Sequence, residues 1–113
     1  MDLDDQLLPI VPHLKPPGED EMLRLIAYDI GDPKRWAKVV EACQDHGVRV
    51  QLSLFECWLE EPEFQDLWNR LQTLIKPEED RLAAYTLDAH SAHRRLTAGE
   101  TMLTTSRTTT YVV

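Results

Sequence analysis

The chain has 113 residues, 42% hydrophobic and 28% charged, with a formal net charge of −8. That is the length of one ordinary domain of roughly 100–200 residues, and the balance is globular rather than disordered or fibrous. No apolar run approaches the roughly 18 residues of a membrane span, two cysteines are too few for a disulfide framework, and the acidic total argues against a generic basic coat for nucleic acid.

The charge is unevenly spread. Residues 1–21 carry six acids against Lys15 alone, and residues 22–88 carry thirteen acids against eight bases. Residues 89–113 reverse the sign, with Glu100 against Arg94, Arg95 and Arg107. A local basic patch can therefore still meet phosphate.

Residues 1–21 read as an acidic, Pro-containing appendage. Pro9, Pro12, Pro16 and Pro17 remove N–H donors and restrict their predecessors, which excludes a helix or a central strand. A signal peptide needs a positive start and a longer apolar core than Leu7–Val11 supplies. The expectation is a cytoplasmic protein whose regular pattern starts at Met22.

Leu23–Ile30 is a short, largely apolar run that predicts a buried strand. Gly31 ends it, and Asp32-Pro33 predicts a helix start, a capping carboxylate followed by proline at the first helical position. Trp36, Val39, Val40 and Cys43 recur at helical spacing through about His46, and Gly47 supplies the stop. Val48–Leu59 is rich in β-formers and reads as one long strand. Glu61-Pro62-Glu63 opens a second helix that buries Phe64, Leu67, Trp68, Leu71 and Leu74 and stops before Pro77. Leu82–Leu87 predicts another strand. If the middle segment folds back on itself, the order is βαββαβ, the ferredoxin-like α+β sandwich over 22–88, although no Asn-Gly or Asp-Gly marks the bend. The tail, 89–113, ends in Thr108–Val113, a segment of strong β propensity.

Few residues invite chemistry. Asp29 stands at the end of the first strand, where side chains project beside loops. Alone it reads as a solvated or capping carboxylate, and one carboxylate is a poor Mg²⁺ site unless a twofold dimer brings a second. Arg49, Gln51, Ser53 and Phe55 share one side of a single middle strand, where an arginine beside an aromatic can hold phosphate or stack on a base. Lys34, Arg35 and Lys38 cluster on the first helix, which as a bland reading is a soluble face. His90 and His93 near Asp88 lack further ligands at zinc spacing. Cys43 and Cys57 read as small core residues. No P-loop, GxGxxG or HExxH is present.

Leu25–Ile30, then Asp32-Pro33-Lys34-Arg35, then Gly47–Glu56 resemble the small CRISPR-associated adaptation protein, the ferredoxin-like dimeric partner of the CRISPR integrase. Pro77-Glu78-Glu79-Asp80 before Tyr85-Thr86-Leu87 fits the same pattern. The resemblance spans Met22 to Asp88, and more loosely the tail. It implies that the middle segment is two strands. It also implies a homodimeric, Mg²⁺-dependent endonuclease of the spacer-acquisition stage, acting on RNA or double-stranded DNA. Asp29 of each subunit would face its mate and hold the metal, with Arg49, Ser53 and Phe55 as further catalytic positions. Tyr28, Lys34, Arg35, Lys38, Arg94 and Arg95 would meet the nucleic acid. The alternative is a catalytically silent dimer that bridges integrase subunits and supports the incoming DNA.

The resemblance also implies that the last strand crosses to the partner's sheet. Strand addition covers an exposed edge, so deleting 108–113 should weaken the dimer and lower the melting temperature, whereas deleting 1–21 should do neither. Size-exclusion chromatography and thermal melts of the two truncations check this.

Overall fold

The computed structural model describes residues 20–99, so the proposed edge strand at 108–113 and most of the N-terminal segment lie outside the described residues. Strand β1 (Met22–Asp29) is followed by helix α1 (Pro33–Gln44), strands β2 (Val48–Gln51) and β3 (Leu54–Leu59), helix α2 (Glu61–Leu74), strand β4 (Arg81–Leu87) and the short helix α3 (Ala89–Ala92). The strands form one antiparallel sheet in the order β2-β3-β1-β4. This is the βαββαβ arrangement, so the single middle strand of the linear reading is in fact a hairpin.

The hairpin turns on Leu52 and Ser53, with Gln51 paired to Leu54. No non-glycine residue among those described has a positive φ, so the turn is not of the Asn-Gly type. A turn without positive φ fits poorly with strand twist, and the register shift between Arg49 and Gln51 accommodates the difference. Two hydrogen bonds tie the turn to β1: the Tyr28 amide donates to Ser53 O at 3.1 Å, and the Tyr28 hydroxyl donates to Leu52 O at 2.9 Å.

Strand alternation sorts the residues of β1. Ile26 and Tyr28 point toward the helices, where they pack with Val39, Cys43, Phe55 and Leu71. Leu23, Leu25, Ala27 and Asp29 point the other way. Among the described residues, one end of that second face is covered, where α3 sets Ala92 against Leu23 and Trp58. α3 falls within the stretch read from sequence as tail, and Asp88 caps it by accepting from Ser91 N at 2.7 Å. Beyond it no described helix covers the face, and Tyr85 is 61% exposed.

Helix α1 starts as its sequence dictates, with Asp32 Oδ2 accepting from Arg35 N at 2.9 Å and Pro33 in the first turn. Helix α2 has no side-chain cap. The buried Arg24 instead reaches from β1 to its entrance, donating to Leu59 O at 3.1 Å and to Glu61 Oε1 at 3.3 Å. Burial pushes the thiols of Cys43 and Cys57 up to about 12, so both stay protonated and serve as small core residues.

Gly47 joins α1 to β2 where the backbone passes hard against β3. A Cβ at this position would lie 2.9 Å from Cys57 Cα and 2.5 Å from its sulfur, and would also collide with Glu56 O. Backbone cannot yield as a flexible side chain does. Gly47→Ala should therefore cost about 1–3 kcal/mol, read as a lower urea midpoint with an unchanged slope.

Candidate functional site

One end of the sheet gathers the residues with chemical potential. β1 ends there at Asp29, the β2–β3 turn lies there with Ser53, and β4 begins there at Arg81. Asp29 and Arg81 are directly opposed across β1 and β4. Opposed residues share a face, with Cβ atoms about 4.5–5.5 Å apart. Both side chains are exposed, and no ion pair joins either to a described residue. Ser53 is exposed in the turn, its carbonyl already engaged by Tyr28.

The start of β4 is held by a cluster of charges. Arg35 Nε on α1 donates to Asp80 Oδ2 at 2.8 Å, and its Nη2 donates to Asp80 Oδ1 at 3.3 Å and Glu79 Oε1 at 3.0 Å. Asp80 Oδ2 also accepts from the Lys76 amide at 2.8 Å. The Arg35 hydrogen bonds, then the Lys76 amide, hold the Asp80 carboxyl below its ordinary value. Lys76, then Arg35, does the same for Glu79.

This cluster corrects the expectation for Arg35. Its guanidinium is spent within the fold, so it does not offer a free charge to nucleic acid. Arg95 is likewise engaged, paired with Glu56 and donating to Ala92 O at 2.7 Å. It follows α3 at the end of the sheet away from Asp29, and Arg94 beside it is exposed. Lys34 and Lys38 remain exposed on α1.

Three further expectations change for the same reason, the side on which alternation places each residue. Phe55 is fully buried under Tyr28, with ring centroids 6.0 Å apart, so it forms core wall and cannot stack on a base. Tyr28 is 4% exposed, and burial raises its phenol above the ordinary value, with the Arg49 guanidinium pulling the other way. Arg49 pairs with Phe55, lies on the helix-side face and sets its guanidinium 5.5 Å from the Trp36 ring centroid. Asp29 points to the opposite face. The structure therefore keeps Ser53 at the Asp29 end but does not bring Arg49 or Phe55 onto its face.

Arg81 escaped the sequence reading, which began this strand at Leu82. The available signal was topological: in a βαββαβ sheet the first and last strands are antiparallel neighbours, so the start of one faces the end of the other.

For a metal, one chain supplies little. Among the described residues no group of three or more His, Cys, Asp or Glu side chains is placed to hold an ion. Asp29 is an exposed oxygen donor of the hard type Mg²⁺ prefers, but a single carboxylate is by itself a poor Mg²⁺ site.

A model of the family described as CRISPR associated protein Cas2 matches residues 22–95. The chain belongs to this family. The CRISPR-associated endoribonuclease Cas2 3 of Chloroflexus aurantiacus is 41% identical over 88 residues, covering 78% of this chain and 95% of that protein. The CRISPR-associated endonuclease Cas2 of Halalkalibacterium halodurans is 44% identical over 71 residues, 58% of this chain and 74% of that one. The Streptococcus pyogenes Cas2 crystal structure is similar with a TM-score of 0.63 at 36% identity, covering 69% of this chain and all of that chain. A chain of a solved partial Cas6-RT-Cas1–Cas2 complex is similar at a TM-score of 0.58 and 26% identity, covering 67% and 89%. These likenesses agree with the ferredoxin-like fold.

Carboxylates held below their ordinary values stabilise the fold above those values and lose that effect as pH falls through the depressed ones. Asp80→Asn should therefore lower the urea midpoint most at neutral pH. Its deficit against the parent should shrink as the pH drops below 3.8, the ordinary value for Asp. Urea titrations from pH 7 to pH 3 read this difference.

Proposed function

We propose that this chain is a spacer-acquisition protein of a CRISPR system, working as a homodimer that partners the CRISPR integrase and cuts RNA or double-stranded DNA with Mg²⁺. The observation that carries the reading is Asp29, an exposed carboxylate with no ion pair to a described residue, at the strand end inside the region that matches the family. Relatives named endoribonuclease and endonuclease support nuclease chemistry, and the Cas1–Cas2 assembly supports the integrase partnership.

The sheet face that no described helix covers supports a twofold mate. Leu25, Ala27, Ala83 and Tyr85 lie on it beside Asp29, and a second copy packed there would cover them and bring two Asp29 carboxylates together. Two such carboxylates repel unless a cation sits between them. Bound Mg²⁺ would lower the pKa of a coordinated water and offset charge on the phosphate. Asp29 of each subunit would hold it, and Ser53 at the same end would border the scissile strand. Lys34, Lys38 and Arg94 are exposed charges suited to backbone contacts that carry no sequence information. Arg49, on the helix-side face, would touch backbone apart from the Asp29 centre.

A second reading, a catalytically silent dimer bridging integrase subunits, is favoured by one feature. The Asp29 carboxylate stands opposite a guanidinium, that of Arg81, which disfavours a nearby cation.

Asp29→Asn separates the readings, because it keeps shape and removes the charge. Cleavage of RNA and duplex DNA by the purified variant should fall at least about a hundredfold in Mg²⁺, and EDTA should abolish cleavage by the parent. Spacer acquisition measured in cells with the same variant tells whether cutting matters there. A variant that cuts as fast as the parent removes Asp29 from the chemistry, and loss of cutting with full acquisition selects the bridging role.

A further inference from the structure

Asp80 and Arg81 are neighbours that strand alternation sends to opposite faces. Asp80 turns inward to Arg35, with its side chain fully buried. Arg81 is thereby turned outward, and the register places it opposite Asp29. The Arg35–Asp80 clamp at 2.8 Å thus fixes where β4 begins and with it the position of Arg81. Other arginines are consumed or turned away: Arg24 is buried, Arg35 and Arg95 are paired, and Arg49 lies across the sheet over Trp36. Among the described residues, Arg81 is the arginine paired with Asp29 on its own face.

An arginine in this position has a fork of donors that matches a phosphodiester's two free oxygens. Its neighbouring carboxylate is not bound to it, so the fork is available. We propose that Arg81 is the phosphate-binding residue of the Asp29 site, gripping the nucleic-acid backbone next to the bond at Asp29. This rests on the nucleic-acid reading above and assigns to Arg81 a contact that Arg49 cannot make from the other face. The interaction is with backbone, so it is independent of base sequence.

The test is equilibrium binding of the full chain to a short duplex DNA and to an RNA of equal length, in EDTA so that nothing is cut, across a series of salt concentrations. Arg81→Ala should bind about tenfold more weakly. Its slope of log affinity against log salt on duplex DNA should fall by about 0.9 per engaged subunit. Arg81→Lys should keep the slope, because it keeps the charge. Arg70→Ala, an exposed arginine on α2, should match the parent. Matching melting temperatures establish that the variants are folded. If Arg81→Ala binds like the parent with the same slope, or Arg70→Ala loses as much, the assignment is wrong while the nuclease reading stands on its Asp29→Asn result. If the parent binds neither nucleic acid, the assignment and the reading beneath it both fall.

Discussion

The contact between Arg35 and Asp80 decides more of this structure than any other single interaction. Arg35 lies in the first turn of α1, and Asp80 immediately precedes β4, so the pair ties the first helix to the last strand across 45 positions of sequence. The Asp80 carboxylate also accepts from the Lys76 amide, closing the loop that enters β4. With both oxygens occupied and the side chain out of water, the point at which β4 begins is fixed. Because side chains alternate along a strand, fixing one residue fixes the face of every residue after it. Leu82 and Ala84 pack on the core, and Arg81, Ala83 and Tyr85 face outward.

The same alternation explains how an acidic chain presents a guanidinium, that of Arg81, beside Asp29. Net charge describes long-range attraction, and here it is unfavourable for nucleic acid. Local arrangement is another matter. Several acids are neutralised inside the fold: Asp80 and Glu79 by Arg35, Glu56 by Arg95, and Glu61 by Arg24. The bases used in these pairs are lost to the surface, which leaves position, rather than number of charges, to determine what a phosphate would meet. At the Asp29 end it would meet Arg81 on one face. On the other it would meet Arg49, held against Trp36.

The two faces of the sheet also differ in how completely they are finished. The helix side is closed by α1 and α2 around Phe55, Val39, Cys43 and Leu71, all fully buried. Among the described residues, the opposite side is closed only at the α3 end. A half-covered sheet is common where another surface completes it, and Asp29 and Arg81 stand beside the part of the face that no described helix covers. Any mate that covers it sets the surroundings of both residues.

Much of the fold was legible in the residues. Asp32-Pro33 marked the start of α1, the spacing of Leu67 and Leu71 marked the buried face of α2, and the apolar run to Ile30 marked β1, because each signal is local and arises from a few neighbouring groups. Asp29 was legible for the same reason, as a carboxylate at the end of a strand. The hairpin within Val48–Leu59 was not read from local signals, because its turn uses Leu52 and Ser53 without positive φ and is held by Tyr28 from a distant strand. The inward turn of Phe55, the engagement of Arg35 and the pairing of Arg81 with Asp29 were decided only by tertiary structure. Each depends on which strands are neighbours and in what register, and a shift of one residue would send the same side chains to the opposite face.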